Sequence, residues 1–220
     1  MYVYGHRGAA GEAPENTRAA VRQGLAAGSD GIEIDVRLVD GAVVVLHDAT
    51  LDRTTSASGL VYERSAQSLE SILIEGESLP LLADIVAEMD ARRLNIELKD
   101  VAVAQVVAAM WDGRADWLIS SFLPEALARI AVAAPGLSLA LCSDQPSQTL
   151  QVALDLGCQA LHGPCSQING DLVAAAQKSG FQVAAYTCND RAQAQRLAVL
   201  GCDAIFTDRP SVLVPGCAQW

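Results

Sequence analysis

Short apolar runs alternate with helix-patterned segments along most of this chain. The runs "YVYG", "GIEIDVRL", "VVVLHD", "LNIELK", "WLISSF", "LSLALCSD", "QALHG", "QVAAYTCN" and "AIFTD" read as strands. Helical periodicity predicts helices over Pro14 to Gly28, Leu81 to Arg92, Val101 to Trp111, Pro124 to Ala134, Pro146 to Leu156, Asp171 to Ser179 and Arg191 to Leu200, with a stub after Pro210. Such alternation implies βαβ units and a parallel sheet. Joining "VVVLHD" to the strand before it, across the Asp40-Gly41 turn, leaves eight strands. That is the strand number of a (β/α)8 TIM barrel, and 220 residues lies near the lower size limit of that fold. An open doubly wound sheet would call for a glycine-rich nucleotide loop or a switch point, and neither is found.

Residues 49–79, including "LDRTTSASGL", break the rhythm with polar turns. They read as an insertion after the second strand, forming a small cap over the C-terminal face of the barrel, where such folds keep their sites. No linker divides the chain, so a single domain over 1–220 is expected. The apolar runs are too short to span a membrane.

Within "GIEIDVRL" the period of two puts Ile32, Ile34, Val36 and Leu38 on one face and Glu33, Asp35 and Arg37 on the other. "LNIELK" repeats this, with Asn95, Glu97 and Lys99 opposite Ile96 and Leu98. Both faces of a parallel barrel strand are covered, so charged inner faces need a compensating partner. One divalent cation held by Glu33, Asp35 and Glu97 is the reading preferred; an interior salt-bridge network using Arg7, Arg37 and Lys99 is the alternative. Oxygen-only ligation favours Mg²⁺, Ca²⁺ or Mn²⁺ over Zn²⁺, with Mg²⁺ first. With a dication bound, Arg7 and Lys99 bring the site to one net positive charge, which suits a single phosphodiester anion.

His6 and His47 end neighbouring strand runs and are expected at the same mouth, where two imidazoles act as general acid and base. His162 also ends a strand but lacks a polar companion, so it reads as a rim or packing residue. Ser120 and Ser121 read as shape-filling, since there is no nucleophile elbow. Pro14 and Glu15 suit the start of the first helix, with Asn16 and Thr17 holding its entry; a polar contact from Glu15 or Asn16 to the site is the alternative.

The net charge of −11 argues against nucleic acid as a partner. The six cysteines, Cys142, Cys158, Cys165, Cys188, Cys202 and Cys217, lack C-x-x-C spacing and read as small buried hydrophobes. With no charged leader ahead of Tyr2, a cytoplasmic setting is expected. The pattern sets no oligomeric state.

The motifs "GHRG", "PENT", "GIEIDVRLVDGAVVVLHDATLDRTT", "NIELK", "SSF", "AAYTCND" and "FTDRP", in this order, make the chain resemble the glycerophosphodiester phosphodiesterase family across about residues 2–210. The resemblance implies a TIM barrel with a small insertion and metal-dependent hydrolysis of glycerophosphodiesters, small-molecule substrates, to glycerol 3-phosphate and an alcohol. It makes His6 and His47 the acid/base pair, Arg7 and Lys99 the phosphate contacts, and Glu33, Asp35 and Glu97 the metal ligands. Tyr186 stands where the family often has Trp and would form an aromatic wall against the substrate; Cys188 stands where it often has Val. Water can attack directly, or the glycerol 2-hydroxyl can attack first to give a cyclic phosphate.

Overall fold

A computed structural model describes residues 1–214, so Cys217 lies outside the described residues. In chain order the strands are β1 (Tyr2–Gly5), β2 (Gly31–Val39), β3 (Ala42–Val45), β4 (Leu73–Ile74), β5 (Glu77–Ser78), β6 (Arg93–Leu98), β7 (Trp117–Ser121), β8 (Ser138–Cys142), β9 (Ala160–Pro164), β10 (Gln182–Tyr186) and β11 (Ala204–Thr207). The helices are α1 (Arg18–Ala26), α2 (Ala66–Leu69), α3 (Leu82–Glu88), α4 (Val103–Met110), α5 (Pro124–Ala133), α6 (Pro146–Asp155), α7 (Gly170–Lys178), α8 (Arg191–Val199) and α9 (Pro210–Leu213).

Eight parallel strands, β1, β2 and β6 to β11, close on themselves because β1 pairs with both β11 and β2. This is the (β/α)8 barrel that the strand count predicts. The closing seam is short on one side. β1 reaches only Gly31 and Ile32 of β2, and antiparallel β3 takes over from Val36 to Val39.

Burial follows the period of two. Ile32, Ile34, Val36, Leu94, Ile96 and Leu98 join the main apolar core. Inside the barrel, Tyr4, Ala184, Ala204 and Phe206 form a separate cluster, with the Tyr4 and Phe206 ring centroids 5.3 Å apart. The register sets Asp35 opposite Glu97 and Glu33 opposite Asn95 on the adjoining strands β2 and β6. The acidic side chains of these two adjoining strands are therefore neighbours inside the barrel rather than being spread around it.

The insertion carries a core of its own. Leu51, Val61, Leu69, Ile72, Ile74 and Leu79 pack with Val39, Val44 and Leu46. On β3, Val43 and Val45 belong to the main core while Val44 faces the insertion's cluster, so one short strand serves both. Among the described residues no helix is long and apolar enough to cross a membrane. Five cysteines, Cys142, Cys158, Cys165, Cys188 and Cys202, are buried and free.

The first helix starts later than Pro14. Residues 6–16 form turns, and Thr17 caps α1 by accepting from the Ala20 N–H at 3.1 Å. Asn16 lies at φ 59, a left-handed conformation incompatible with a helical first turn.

Candidate active site

The "GHRG" turn is shaped by its glycines. Gly8 has φ +87, and a Cβ there would lie 2.5 Å from the Ala20 carbonyl carbon, so the chain passes against α1 at a distance only glycine permits. Arg7 itself sits at φ 50, a conformation costing a non-glycine residue roughly 1 kcal/mol. Its N–H donates to Glu33 Oε2 at 2.8 Å. The strained turn thus ties the end of β1 to the acid on β2.

Glu33, Asp35 and Glu97 offer carboxylate oxygens lying within 4.8 Å of one another. Asp35 is the best compensated: Asn16 Nδ2 donates to Oδ2 at 2.8 Å, Lys99 Nζ lies 3.0 Å from Oδ1, and Arg7 Nε lies 3.4 Å from Oδ2. Burial pushes its pKa up, but the Lys99 and Arg7 charges outweigh that and hold it below the usual carboxylate range. Lys99 also pairs with Glu97. Burial and the Asp35 charge nevertheless raise the Glu97 pKa. Burial and then Asp35 push Glu33 up to about 8.

Glu33 Oε1 is buried with no hydrogen-bond partner. Arg7 and Lys99 do form interior ion pairs with Asp35 and Glu97, whereas Arg37 donates instead to the His47 carbonyl. Lys99 answers two of the three acids and leaves this oxygen bare. The all-oxygen donor set and the orphaned atom fit a hard divalent cation.

Both histidines are anchored through Nδ1. His6 Nδ1 meets Asp208 Oδ1 at 2.7 Å, and Asp208 is itself held by Asn189 Nδ2 at 2.7 Å. His47 Nδ1 meets Asp48 Oδ1 at 2.6 Å. Each aspartate selects the tautomer with a proton on Nδ1 and leaves Nε2 as the other ring nitrogen. Burial lowers the His6 pKa, but the Asp208 hydrogen bond and the Glu33 charge outweigh it and the net shift is upward. For His47 burial prevails and the shift is downward, with Lys99 and Arg7 adding to it against Asp35 and Asp48.

A cavity of about 170 Å³ brings together His6, Arg7, Glu33, His47, Glu97 and Lys99, with Tyr186 and Phe122 forming an aromatic side. Their ring centroids are 6.0 Å apart in an edge-to-face arrangement. Asp35 lies behind this lining, 1% exposed. All eight side chains singled out in the sequence therefore gather at one barrel mouth.

The glycerophosphoryl diester phosphodiesterase family model matches residues 6–212, nearly the whole chain. The chain belongs to this family. It is 30% identical to the glycerophosphodiester phosphodiesterase of Caldanaerobacter subterraneus subsp. tengcongensis, over 96% of each chain. It is 30% identical to that of Bacillus altitudinis, over 94% of each. Among solved structures, an Oleispira antarctica phosphodiesterase in complex with the product sn-glycerol-3-phosphate superposes with a TM-score of 0.89 at 30% identity, covering 96% of this chain and 94% of that one. The Thermotoga maritima glycerophosphodiester phosphodiesterase shares the fold, with a TM-score of 0.84.

Several residues at this family site escape sequence reasoning. Glu15 takes the alternative reading, a polar contact to the site in place of a helix start, its carboxylate accepting from Arg7 Nη1 at 2.7 Å and from Arg53, with nothing in the sequence to point to the Arg53 partner. Asp48 could have been found from its place directly after His47. Asp208 could not, because 202 residues separate it from His6 and only barrel closure brings them together. His162 is a packing residue and not a rim one: it is 2% exposed, with its ring centroid 4.9 Å from that of Phe206. Ser120 and Ser121 are fully buried and occupied by Asn95 Nδ2 and the Leu98 carbonyl respectively, which agrees with their reading as filler.

Proposed function

We propose that this chain hydrolyses glycerophosphodiesters to sn-glycerol 3-phosphate and an alcohol, using a divalent cation held by Glu33, Asp35 and Glu97 and acid/base catalysis by His6 and His47. The observation that carries this is the meeting of three carboxylates around the unsatisfied Glu33 Oε1, beside two imidazoles each anchored through Nδ1. Support for the product comes from the Oleispira relative, whose structure holds sn-glycerol-3-phosphate. When bound, a hard dication polarises a phosphoryl oxygen and lowers the pKa of an attacking hydroxyl; Mg²⁺ is the ion we favour.

The chain's own groups supply the rest. Arg7 and Lys99 bind the diester anion, and Tyr186 walls the cavity against the organic part of the substrate. One imidazole accepts the proton of the attacking hydroxyl as its oxygen bonds to phosphorus; the other protonates the leaving alkoxide as the scissile P–O bond breaks. We read residues 1–220 as one catalytic domain, with residues 49–79 capping its mouth. The free, buried cysteines suit a cytoplasmic setting.

Purified protein incubated with glycerophosphocholine or glycerophosphoethanolamine, with EDTA or with added Mg²⁺, Ca²⁺ or Mn²⁺, tests the reading by phosphorus NMR. Cation-restored release of glycerol 3-phosphate is expected, and a transient cyclic phosphate signal would identify the two-step route. Absence of hydrolysis with every cation refutes it.

A further inference from the structure

One guanidinium at the mouth makes four hydrogen bonds to two carboxylates. Arg53 Nε and Nη2 donate to Asp48 Oδ2 and Oδ1 at 2.6 and 3.1 Å. Nη1 and Nη2 donate to Glu15 Oε2 and Oε1 at 2.7 and 2.8 Å. Asp48 holds the His47 ring, and Glu15 holds Arg7 Nη1. An unbroken chain of directed contacts therefore runs from Arg7 through Glu15, Arg53 and Asp48 to His47.

We propose that Arg53 is a positioning residue for the diester cleavage proposed above, orienting His47 through Asp48 and Arg7 through Glu15 at once. This rests on that reading of the site. Arg53 does not line the cavity, and its contacts to the site run through the two carboxylates. The His47 backbone is fixed independently, because Arg37 Nε and Nη2 donate to its carbonyl at 3.2 and 2.6 Å. A third of the His47 side chain is exposed, and its ring is hydrogen-bonded to Asp48 through Nδ1. Asp48, 24% exposed, is braced in turn by the bidentate fork from Arg53.

The contribution is directional rather than stabilising. The Arg53 side chain is 47% exposed, and ion pairs that open to water add little to stability. Geometry at a reacting centre is far more sensitive, since ~1 Å of misplacement costs on the order of 100-fold in rate. Lysine would keep the charge without the planar fork and could not serve both carboxylates bidentately. The strut also gives the insertion a part in catalysis, delivering a brace to the acid/base machinery from outside the barrel.

The test compares wild type with Arg53→Ala and Arg53→Lys in the cation-supplemented assay, with thermal melts and long-range ¹H–¹⁵N NMR of the histidine rings. Arg53→Ala is expected to lose ~10- to 100-fold in kcat, with KM raised several-fold through Arg7. Its Tm should stay within about 3 °C of wild type. Millimolar methylguanidine should restore turnover to Arg53→Ala and methylammonium should not, while Arg53→Lys stays impaired. In the NMR, His47 should leave its single tautomer while His6 and His162 keep theirs. Wild-type kcat in Arg53→Ala overturns the proposal; so does lost turnover without guanidinium rescue and with unchanged His47 signals. The NMR arm needs no substrate. If wild type hydrolyses nothing, the functional reading falls by itself and the His47 signals still decide whether Arg53 orients the ring.

Discussion

His162 offers a direct way to measure the barrel's inner dielectric. It lies on the cavity floor, 2% exposed, with Nδ1 3.8 Å from Cys142 Sγ. Burial pushes its pKa down from 6.5 to about 3, so the folded protein carries it neutral at every ordinary pH. The unfolded chain binds a proton there below pH 6.5. Between about pH 6.5 and pH 3 the unfolded state therefore holds more protons, and stability falls as pH falls, at up to ~1.4 kcal/mol per pH unit. From pH 7 to pH 4.5 this one ring should cost wild type about 2.5 kcal/mol. That is roughly 5 to 10 °C in Tm for a chain of this length. His162→Phe, which keeps a ring against Phe206, and His162→Asn both remove the titration. Urea unfolding of all three in EDTA, at pH 7, 5.5 and 4.5, should show both variants losing about 2.5 kcal/mol less than wild type over that range, whatever their offsets at pH 7. Parallel curves for wild type and variants would mean that the folded protein protonates His162 and that water reaches the barrel floor.

Replacing His6 or His47 by Ala should each lower kcat by ~10²- to 10⁴-fold on a natural diester. A p-nitrophenyl leaving group should rescue only the variant lacking the proton donor, which assigns the two roles. Glu33→Gln should abolish cation-dependent turnover, while in EDTA it should melt above wild type at pH above 8. That gap should close as pH falls toward 4.5, because the raised Glu33 pKa makes wild type lose stability as pH rises through that window. Lys99→Met should raise KM for the diester and, in EDTA, destabilise by ~3–5 kcal/mol by leaving Asp35 and Glu97 without their shared cation. Equal melts of Lys99→Met and wild type would place those acids in contact with water.

What was legible in the sequence follows from strand periodicity. Two strands that should be apolar on both faces instead carry Glu33, Asp35, Asn95, Glu97 and Lys99 on one, and β2–β6 register then sets them side by side. The strand count pointed to the closed barrel for the same reason: each run is short, apolar and followed by a helical stretch. The start of α1 misled because Pro14 and Glu15 fit a first helical turn in isolation, whereas Glu15 is drawn toward Arg7 and Arg53 and Asn16 toward Asp35. Asp208 and Asn189 were out of reach, since their partners are set by barrel closure and by the β10–β11 neighbourhood. Arg53 sits in a segment without periodicity, where neither helix nor strand spacing says which way a side chain turns.

Because β3 presents Val44 to one apolar cluster and Val43 and Val45 to another, the segment that follows folds against a finished wall rather than into the barrel. Such a segment is a cassette. Its roughly thirty residues can change in length or sequence while the eight-stranded frame and its three acids on β2 and β6 keep their spacing. A replaced segment would still have to meet the frame's polar ties, the contacts of Arg53 to Glu15 and Asp48, of Tyr62 to Arg37 and of Ala66 to Asp40.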